Sequence, residues 1–221
     1  DEKKMADGWF DVTMADFNQK NPYVARYLIQ NSIWWVEFAG LDGIRQDTYP
    51  YPDKDFMAAW MKALREEYPN LNVVGEAWIN YPPQIAYWLD NKNNKDEYRS
   101  YLTNAFDFPL MGAMQKAFTE NEGWDSGMAR LYELLSQDFL YSDPSKLITF
   151  VDNHDIERMY TVLKTPQNVK MALAFLATTR GIPLVYYGTE ALLDRGDLQG
   201  DPGKRKDFPG GWQGDQVNMF T

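Results

Sequence analysis

Three acidic residues in this sequence follow or end short apolar runs, where a carboxyl group can take part in acid–base chemistry. Asp47 follows "DGIRQ", Glu76 follows "LNVVG", and Asp155 ends "LITFVDNHD". Cleavage of a glycosidic bond needs two such groups: an ionised carboxylate that attacks or activates water, and a protonated carboxyl that donates to the leaving oxygen. Isolated acidic residues at strand ends are common, so this chemistry depends on whether the three converge.

Arg45 and Asp47 place two charges in a run that has the pattern of a buried strand. Alternate side chains of a strand share a face, so these two lie on the same side. Burying an ion is unfavourable without a partner or a solvated cavity, which leaves a structural ion pair or a pocket lining as interpretations. In a pocket, Arg45 would favour the ionised form of Asp47, as a nucleophile requires. The apolar residues before Glu76 would favour its protonated form, as an acid requires.

His154 is the only histidine and stands beside Asp155. It is either a hydrogen-bonded structural residue or a ligand of sugar hydroxyls; one histidine cannot form a metal site built on imidazoles, and no metal ligands are predicted. A serine hydrolase of the nucleophile-elbow type is excluded, because no G-x-S-x-G motif is present. Core packing explains most of the many aromatic residues. Tyr49, Tyr51 and Trp78, next to the acidic positions, are the candidates for stacking on a sugar ring.

The composition restricts the partners of the chain. It has 221 residues, a net charge of -10 and a pI of about 4.6, with no cluster of lysine and arginine. This argues against nucleic acid and leaves a neutral or small substrate open. The absence of cysteine excludes disulfides and thiolate metal sites, and no apolar stretch is long enough to predict a membrane span. The composition does not determine the cellular compartment; a periplasmic or secreted location is favoured for the full-length protein.

Amphipathic helices alternate with short apolar strands along the chain. Helices are predicted over residues 21–40, 53–70, 125–140 and 165–181, and strands at "DGIRQD", "LNVVGEAW", "AFDFPL", "LITFVDNHD" and "IPLVYYG". This alternation is typical of βα units around a parallel sheet. In a barrel of such units the carboxyl ends of the strands gather at one face. Asp47, Glu76 and Asp155 are therefore expected at one pocket.

Four segments occur in the order and at the spacing of signature stretches of the α-amylase family of glycoside hydrolases. They are residues 43–47 (GIRQD), 75–78 (GEAW), 150–155 (FVDNHD) and 181–190 (GIPLVYYGTE). Residues 15–18 (ADFN) resemble the stretch that closes the small domain inserted after the third strand of that family's barrel. The chain thus resembles the family along nearly its whole length.

The resemblance implies a retaining mechanism and a role for each matching residue. Asp47 would be the nucleophile, Glu76 the acid and then the base, and Asp155 the third carboxylate, which holds sugar hydroxyls in the transition state. Arg45 would orient Asp47. The last motif would supply two further contacts to the sugar, from Asn153 and His154.

The resemblance also implies a substrate class. Pro50 and Tyr51 stand where typical α-amylases have lysine and histidine, and with Trp78 this pattern is similar to the neopullulanase and cyclomaltodextrinase branch. The expected partner is an α-glucan oligosaccharide: maltodextrins, cyclodextrins or starch-like glucans with α-1,4 bonds. No cofactor is required, although calcium is an option for the full-length enzyme.

The family's third-strand motif, which contains an Asn-His pair, is absent, since the single histidine belongs to a later motif. The expected fold is therefore a partial (β/α)8 TIM barrel, strands four to eight with their helices. Residues 1–20 would end the inserted small domain, and residues 21–221 would be the barrel portion, with "DPGKRKDFPGGW" as the loop after the last strand. Open sheet edges predict a homo-oligomer, and the piece alone should be a poor catalyst. A transglycosylase of the same family and a non-catalytic amylase-like binding or partner protein remain alternatives.

Overall fold

A computed structural model describes residues 8–90, 94–208 and 210 of the chain. These residues belong to two compact units: the chain up to Phe106 with Phe139–Lys146, and Asp107–Asp138 with the residues from Leu147 onward. The end of a small domain at residue 20 stays a prediction, and the first seven residues of that segment lie outside the described residues. So do Pro209, Gly211 and Trp212 of the predicted last loop.

The first unit contains a parallel three-stranded sheet. Its strands are β1 (Gly43–Gln46), β2 (Asn72–Gly75) and β3 (Asn104–Ala105), in the order β1-β2-β3. The register pairs Gly43 with Asn72 and Gln46 with Gly75. The carboxyl ends of β1 and β2 therefore lie side by side. Within the described residues, β1 pairs with β2 alone, so the sheet ends at β1.

Among its described residues, the first unit has three helices: α1 (Pro22–Ala39), α2 (Lys54–Glu67) and α3 (Pro82–Trp88). The predicted bounds of α1, residues 21 and 40, are confirmed, because the Asn21 side chain accepts the N–H of Tyr23 and Gly40 ends the helix at φ 63°. Asp53 caps α2 in the same way. One apolar face of α2 is buried in the unit through Met57, Trp60, Met61 and Leu64.

Helix α1 buries little of its apolar surface in this unit. Val36 is its only buried residue, whereas Trp34, Trp35 and Phe38 are about half or more exposed, and the rings of Trp34 and Phe38 stack at 4.7 Å. No helix among the described residues is long and apolar enough to cross a membrane.

The second unit contains the parallel pair β4 (Ile148–Phe150) and β5 (Ile182–Leu184). In the part of this unit that the structure describes, five helices accompany the pair: α4 (Phe108–Ala117), α5 (Ala129–Leu135), α6 (Met159–Leu163), α7 (Pro166–Thr178) and α8 (Asp201–Lys204). Its core is a cluster of side chains from α4 to α7 and the residue after β4, including Leu110, Met114, Leu131, Val151, Met159, Val169 and Leu176. Short 3-10 turns lie at Asp138–Leu140, where the chain leaves the second unit, and at Pro144–Lys146 in the first unit.

The prediction of a strand over "AFDFPL" is wrong beyond Ala105. Strand β3 ends there, and α4 begins at Phe108 because the Asp107 side chain accepts the N–H of Leu110, 3.0 Å away, as an N-cap. Pro109 lies in the first turn, where its missing N–H is no disadvantage.

Two predicted helix ends are also wrong. Asp125 does not cap a helix, because a turn with Gly127 at φ 62° precedes α5, which begins at Ala129 and ends at Leu135. Helix α7 ends at Thr178, before Gly181. Gly181 adopts φ 104°, and a Cβ there would lie 2.6 Å from Thr149 Cγ2. It therefore allows the chain to approach β4 closely and does not act as a helix cap.

Candidate active site

The carboxyl edge of β1 and β2 brings Asp47 and Glu76 together. Each follows one member of the register pair Gln46–Gly75. The N–H of Glu76 donates to the carbonyl of Gln46 at 2.8 Å, and the N–H of Thr48 donates to Glu76 Oε2, also at 2.8 Å. The Glu76 carboxyl thus contacts the residue next to Asp47, so both acidic groups lie at one end of the sheet.

The two carboxyl groups differ in solvation. The Asp47 side chain is 65% exposed, whereas Glu76 is 5% exposed. Burial disfavours the charged form of a carboxyl, whereas an exposed carboxyl keeps its hydration. Two carboxyls whose surroundings differ in this way can take the roles of acid and nucleophile.

Arg45 connects Asp47 to the body of the first unit. Its Nη1 lies 2.7 Å from Asp47 Oδ1, and its guanidinium lies 5.7 Å from the centre of the Phe106 ring. Both interpretations of these two charges therefore apply. Arg45 and Asp47 form an ion pair, and the pair stands at a solvent-open strand end and not in the core. An arginine held in this way can orient the carboxylate toward the open side.

Thr48 is a site residue that sequence reasoning missed. It adopts φ 47°, in the left-handed region that residues with a Cβ rarely enter. That conformation carries its N–H to the Glu76 carboxyl. Backbone strain of this kind is concentrated at functional sites, and nothing in the sequence marks a threonine for it.

A cleft of about 160 Å³ lies beside Asp47. Tyr51 lines it, together with Phe10, and the two rings meet edge to face with centroids 4.9 Å apart. Phe10 is 55% exposed and was not among the predicted residues. Tyr51 therefore lies where a sugar next to Asp47 would contact an aromatic ring.

The structure contradicts the predicted contact between Tyr49 and a sugar. Its side chain is fully buried, with its hydroxyl 3.5 Å from the carbonyl of Ser100 and its ring edge-on to Trp88. Burial raises the pKa of Tyr49 far above its usual value. A ring in this position cannot stack on a sugar. Trp78, two residues after Glu76, is 46% exposed. Its stacking on a sugar ring stays a proposal.

In the second unit, the chain after β4 forms a tight turn that presents His154 and Asp155. Asn153 forms this turn, because its Oδ1 accepts the N–H of Asp155 at 2.8 Å and that of Ile156 at 3.0 Å. His154 Nε2 lies 3.0 Å from Asp155 Oδ2. The structure thus gives Asn153 a structural task in addition to its predicted contact with the sugar.

Buried charged groups support this turn from inside the second unit. Arg158 is fully buried; its Nη1 donates to the carbonyl of Tyr187 at 2.6 Å, and its guanidinium lies 4.2 Å from the Tyr186 ring centre. Asp152 accepts the N–H of Met159 and the hydroxyl of Thr189, and burial raises its pKa. The residues before and after His154 and Asp155 are therefore fixed.

No group of three or more His, Cys, Asp and Glu side chains in the described part of the chain is arranged to hold a metal ion. The expectation of calcium in a full-length enzyme stays a prediction. The convergence of Asp155 with Asp47 and Glu76 also stays a prediction, because the two carboxyl edges belong to different units.

A family model of the α-amylase catalytic domain matches residues 8–197, most of the chain. The chain belongs to the α-amylase family. The catalytic domain of this family is a (β/α)8 barrel, and the five short parallel strands described here are part of it, without closure into a barrel among the described residues. The predicted family and fold class are confirmed.

This α-amylase family chain is similar to longer relatives, of which it spans between 25% and 46%. A cyclomaltodextrin glucanotransferase of Geobacillus stearothermophilus is 31% identical over 201 residues, which cover 87% of the chain and 25% of that protein. The crystal structure of the Geobacillus thermoleovorans α-amylase with acarbose has a TM-score of 0.75 at 28% identity, over 92% of this chain and 46% of that one. The γ-cyclodextrin glucanotransferase of alkalophilic Bacillus clarkii has a TM-score of 0.78 at 27% identity, over 93% and 29%.

Proposed function

We propose that the protein containing this chain is an α-amylase-type glycosidase that cleaves α-1,4-glucosidic bonds with retention of configuration. The observation that carries the proposal is the pairing of an exposed Asp47 with a buried Glu76 at adjacent strand ends. Retaining enzymes use two carboxyls about 5–5.5 Å apart, one as nucleophile and one as acid. Adjacent residues at one edge of two paired strands support that spacing.

The reaction takes two steps. Asp47 attacks the anomeric carbon while Glu76 gives its proton to the leaving oxygen, which breaks the glycosidic bond and forms a glycosyl ester on Asp47. Glu76, now a carboxylate, then takes a proton from water as the oxygen of that water attacks the anomeric carbon and releases Asp47. Arg45 orients Asp47 through their ion pair, and Asp155 and His154 bind sugar hydroxyls.

Maltodextrins and cyclodextrins are the proposed preferred substrates, as in the neopullulanase and cyclomaltodextrinase branch. Two aromatic rings beside the acidic residues, the half-buried Tyr51 and the exposed Trp78, support recognition of the apolar faces of glucose rings. The relatives named as an α-amylase and as cyclomaltodextrin glucanotransferases support an α-glucan as the substrate class.

Transglycosylation is the second candidate function. The same two residues would serve, and a sugar hydroxyl would replace water in the second step. The glucanotransferase relatives favour it. A non-catalytic role has less support, because Asp47, Glu76 and Arg45 lie together at one edge of the sheet.

The experiment uses the full-length protein and maltoheptaose. NMR of the first products is expected to show the α-anomer, which reports retention, and chromatography separates shorter products of hydrolysis from longer products of transfer. A first product with the β-anomer, or no turnover at all, would contradict the proposal.

We further propose that the 221-residue chain alone associates through its open strand edges at β1 and β5. Light scattering is expected to give a mass above that of a monomer, together with weak turnover of maltodextrin. A stable monomer with full turnover would show that the rest of the barrel is dispensable.

A further inference from the structure

We propose that Arg205, assisted by Lys204, is the positioning residue of Asp155. The inference rests on the proposed function, in which Asp155 holds sugar hydroxyls. Neither basic residue belongs to a motif that sequence reasoning assigned to the site; both come from the segment after β5, which includes α8.

The two basic side chains hold Asp155 through its side chain and its backbone. Arg205 Nη2 donates to Asp155 Oδ1 at 2.8 Å, and Arg205 Nε donates to the carbonyl of His154 at 3.1 Å. Lys204 Nζ donates to the carbonyl of Asp155 at 2.7 Å. With His154 Nε2 at 3.0 Å from Oδ2, both carboxylate oxygens of Asp155 have a partner.

The segment that carries these side chains is itself fixed. Asp201 pairs with Arg205 at 3.4 Å and with Lys204 at 3.7 Å. Gly203 is buried, and a Cβ there would lie 2.8 Å from the carbonyl oxygen of Leu198. Because α8 fits this closely, Arg205 is presented to Asp155 by a rigid support.

The charge of Arg205 is matched by the carboxylate of Asp155. An α-glucan is neutral, so a guanidinium has no substrate charge to recognise. Each carboxylate oxygen has two lone pairs, so Oδ1 and Oδ2 can accept sugar hydroxyls while they keep their protein partners. The contacts of Arg205 and Lys204 with Asp155, here called the clamp, fix the rotation of its carboxylate. Small errors in such an orientation reduce catalysis strongly.

The test uses the full-length protein with Arg205→Gln, Arg205→Lys and, as a matched control, Lys206→Gln. Lys206 belongs to the same segment, but its ammonium contacts Asp194, at 3.6 Å, and the carbonyl of Asp194. Arg205→Gln is expected to lower kcat/KM about 10- to 100-fold, mostly through kcat. Arg205→Lys should restore part of this loss, and Lys206→Gln should stay within about twofold of the parent.

A double-mutant cycle separates positioning from general stabilisation. In an Asp155→Asn background, Arg205→Gln is expected to lower kcat/KM by less than about threefold, because the group on which Arg205 acts is already altered. An equal loss in both backgrounds, or an equal loss in Lys206→Gln, overturns the proposal.

Hydrogen exchange gives a readout that needs no turnover. Arg205→Gln should speed the exchange of a peptide covering residues 152–158, and Lys206→Gln should not. Unchanged exchange in Arg205→Gln overturns the proposal. Because this result can be read in a protein that proves inactive on glucans, failure of the clamp and failure of the proposed function remain distinguishable.

Discussion

At each of the two carboxyl edges of this chain, a cation pairs with an acidic residue. The two cations lie at different sequence distances from the carboxylates that they contact. At the β1/β2 edge, the cation beside Asp47 is Arg45, two residues earlier on the same strand. At the β4/β5 edge, the cation beside Asp155 is Arg205, 50 residues later. The first pair is visible in the sequence because strand alternation places both side chains on one face. The second exists only because the chain returns to the strand end after β5.

The edges also differ in where their buried charge lies. At β1/β2 the buried group is Glu76, which is itself a candidate for the reaction. At β4/β5 the buried groups are Asp152 and Arg158, which support the turn that presents His154 and Asp155. We therefore propose that the first edge carries the bond-breaking chemistry and that the second binds sugar hydroxyls.

Asp47→Asn in the full-length protein should have the largest effect. The amide keeps the shape of the side chain but cannot form the glycosyl ester, so turnover of maltodextrin should fall by more than about 10⁴-fold. Asp42→Asn is the matched control, since it makes the same change just before the other end of the same strand. If Asp47→Asn keeps nearly the turnover of the unchanged protein, the β1/β2 edge does not carry the nucleophile, and the proposed difference between the two edges is wrong.

Glu76→Gln should come next, with a loss of about 10²–10⁴-fold on maltodextrin. On an aryl maltoside, whose phenol leaves without a proton, the acid is not needed. The rate of the glycosylation step should therefore fall less on this substrate than on maltodextrin. Glu67→Gln, an exposed change at the end of α2, is the control. An equal loss on both substrates in that step would argue against Glu76 as the acid.

Gly75→Ala tests the packing behind the β1/β2 edge. The new Cβ would lie 2.7 Å from Leu102 Cδ2 and 3.0 Å from Tyr49 Cγ, and both side chains are fully buried. We expect the free energy of unfolding to fall by about 1–3 kcal/mol, measured by urea denaturation of the full-length protein. Gly112→Ala in α4, where a Cβ would meet nothing within 4 Å, should instead raise it by about 0.5–1 kcal/mol. A neutral Gly75→Ala would show that the edge can relax.

Tyr51→Ala should have the smallest effect. Loss of a stacking ring should raise KM about 3- to 10-fold, on the scale of one aromatic contact, with kcat within about twofold. Tyr49→Phe, which alters only a buried hydroxyl, should leave KM unchanged. A large fall in kcat at constant KM for Tyr51→Ala would assign Tyr51 to the reacting centre.

Several local features could be predicted from the sequence because their causes are local. Asn21-Pro22 and Gly40 mark the ends of α1, and Asp53 caps α2, through contacts within a few residues. The strand "GIRQ" with Asp47 at its end follows from alternation and an apolar run. Where local signals compete, prediction failed: in "AFDFPL" the apolar pattern suits a strand, but the capping Asp107 and Pro109 begin a helix.

The direction of an aromatic side chain could not be predicted in the same way. Tyr49 and Tyr51 are two residues apart and both close to Asp47 in sequence, yet Tyr49 is buried against Gly75 and Tyr51 lines the cleft. The turn after β1, with Thr48 at φ 47°, sends the two rings to different places. Its geometry depends on the Glu76 side chain, 28 residues later.

The sequence by itself determined the family, the order of strands and helices, and the acidic residues at the strand ends, because motifs, caps and alternation act over a few residues. Only the tertiary structure decided which groups meet: Thr48 with Glu76, Phe10 with Tyr51, and Arg205 with Asp155. Each of these contacts joins residues 28 to 50 positions apart. Their formation depends on how strands pair and where loops return, and these are properties of the folded chain as a whole.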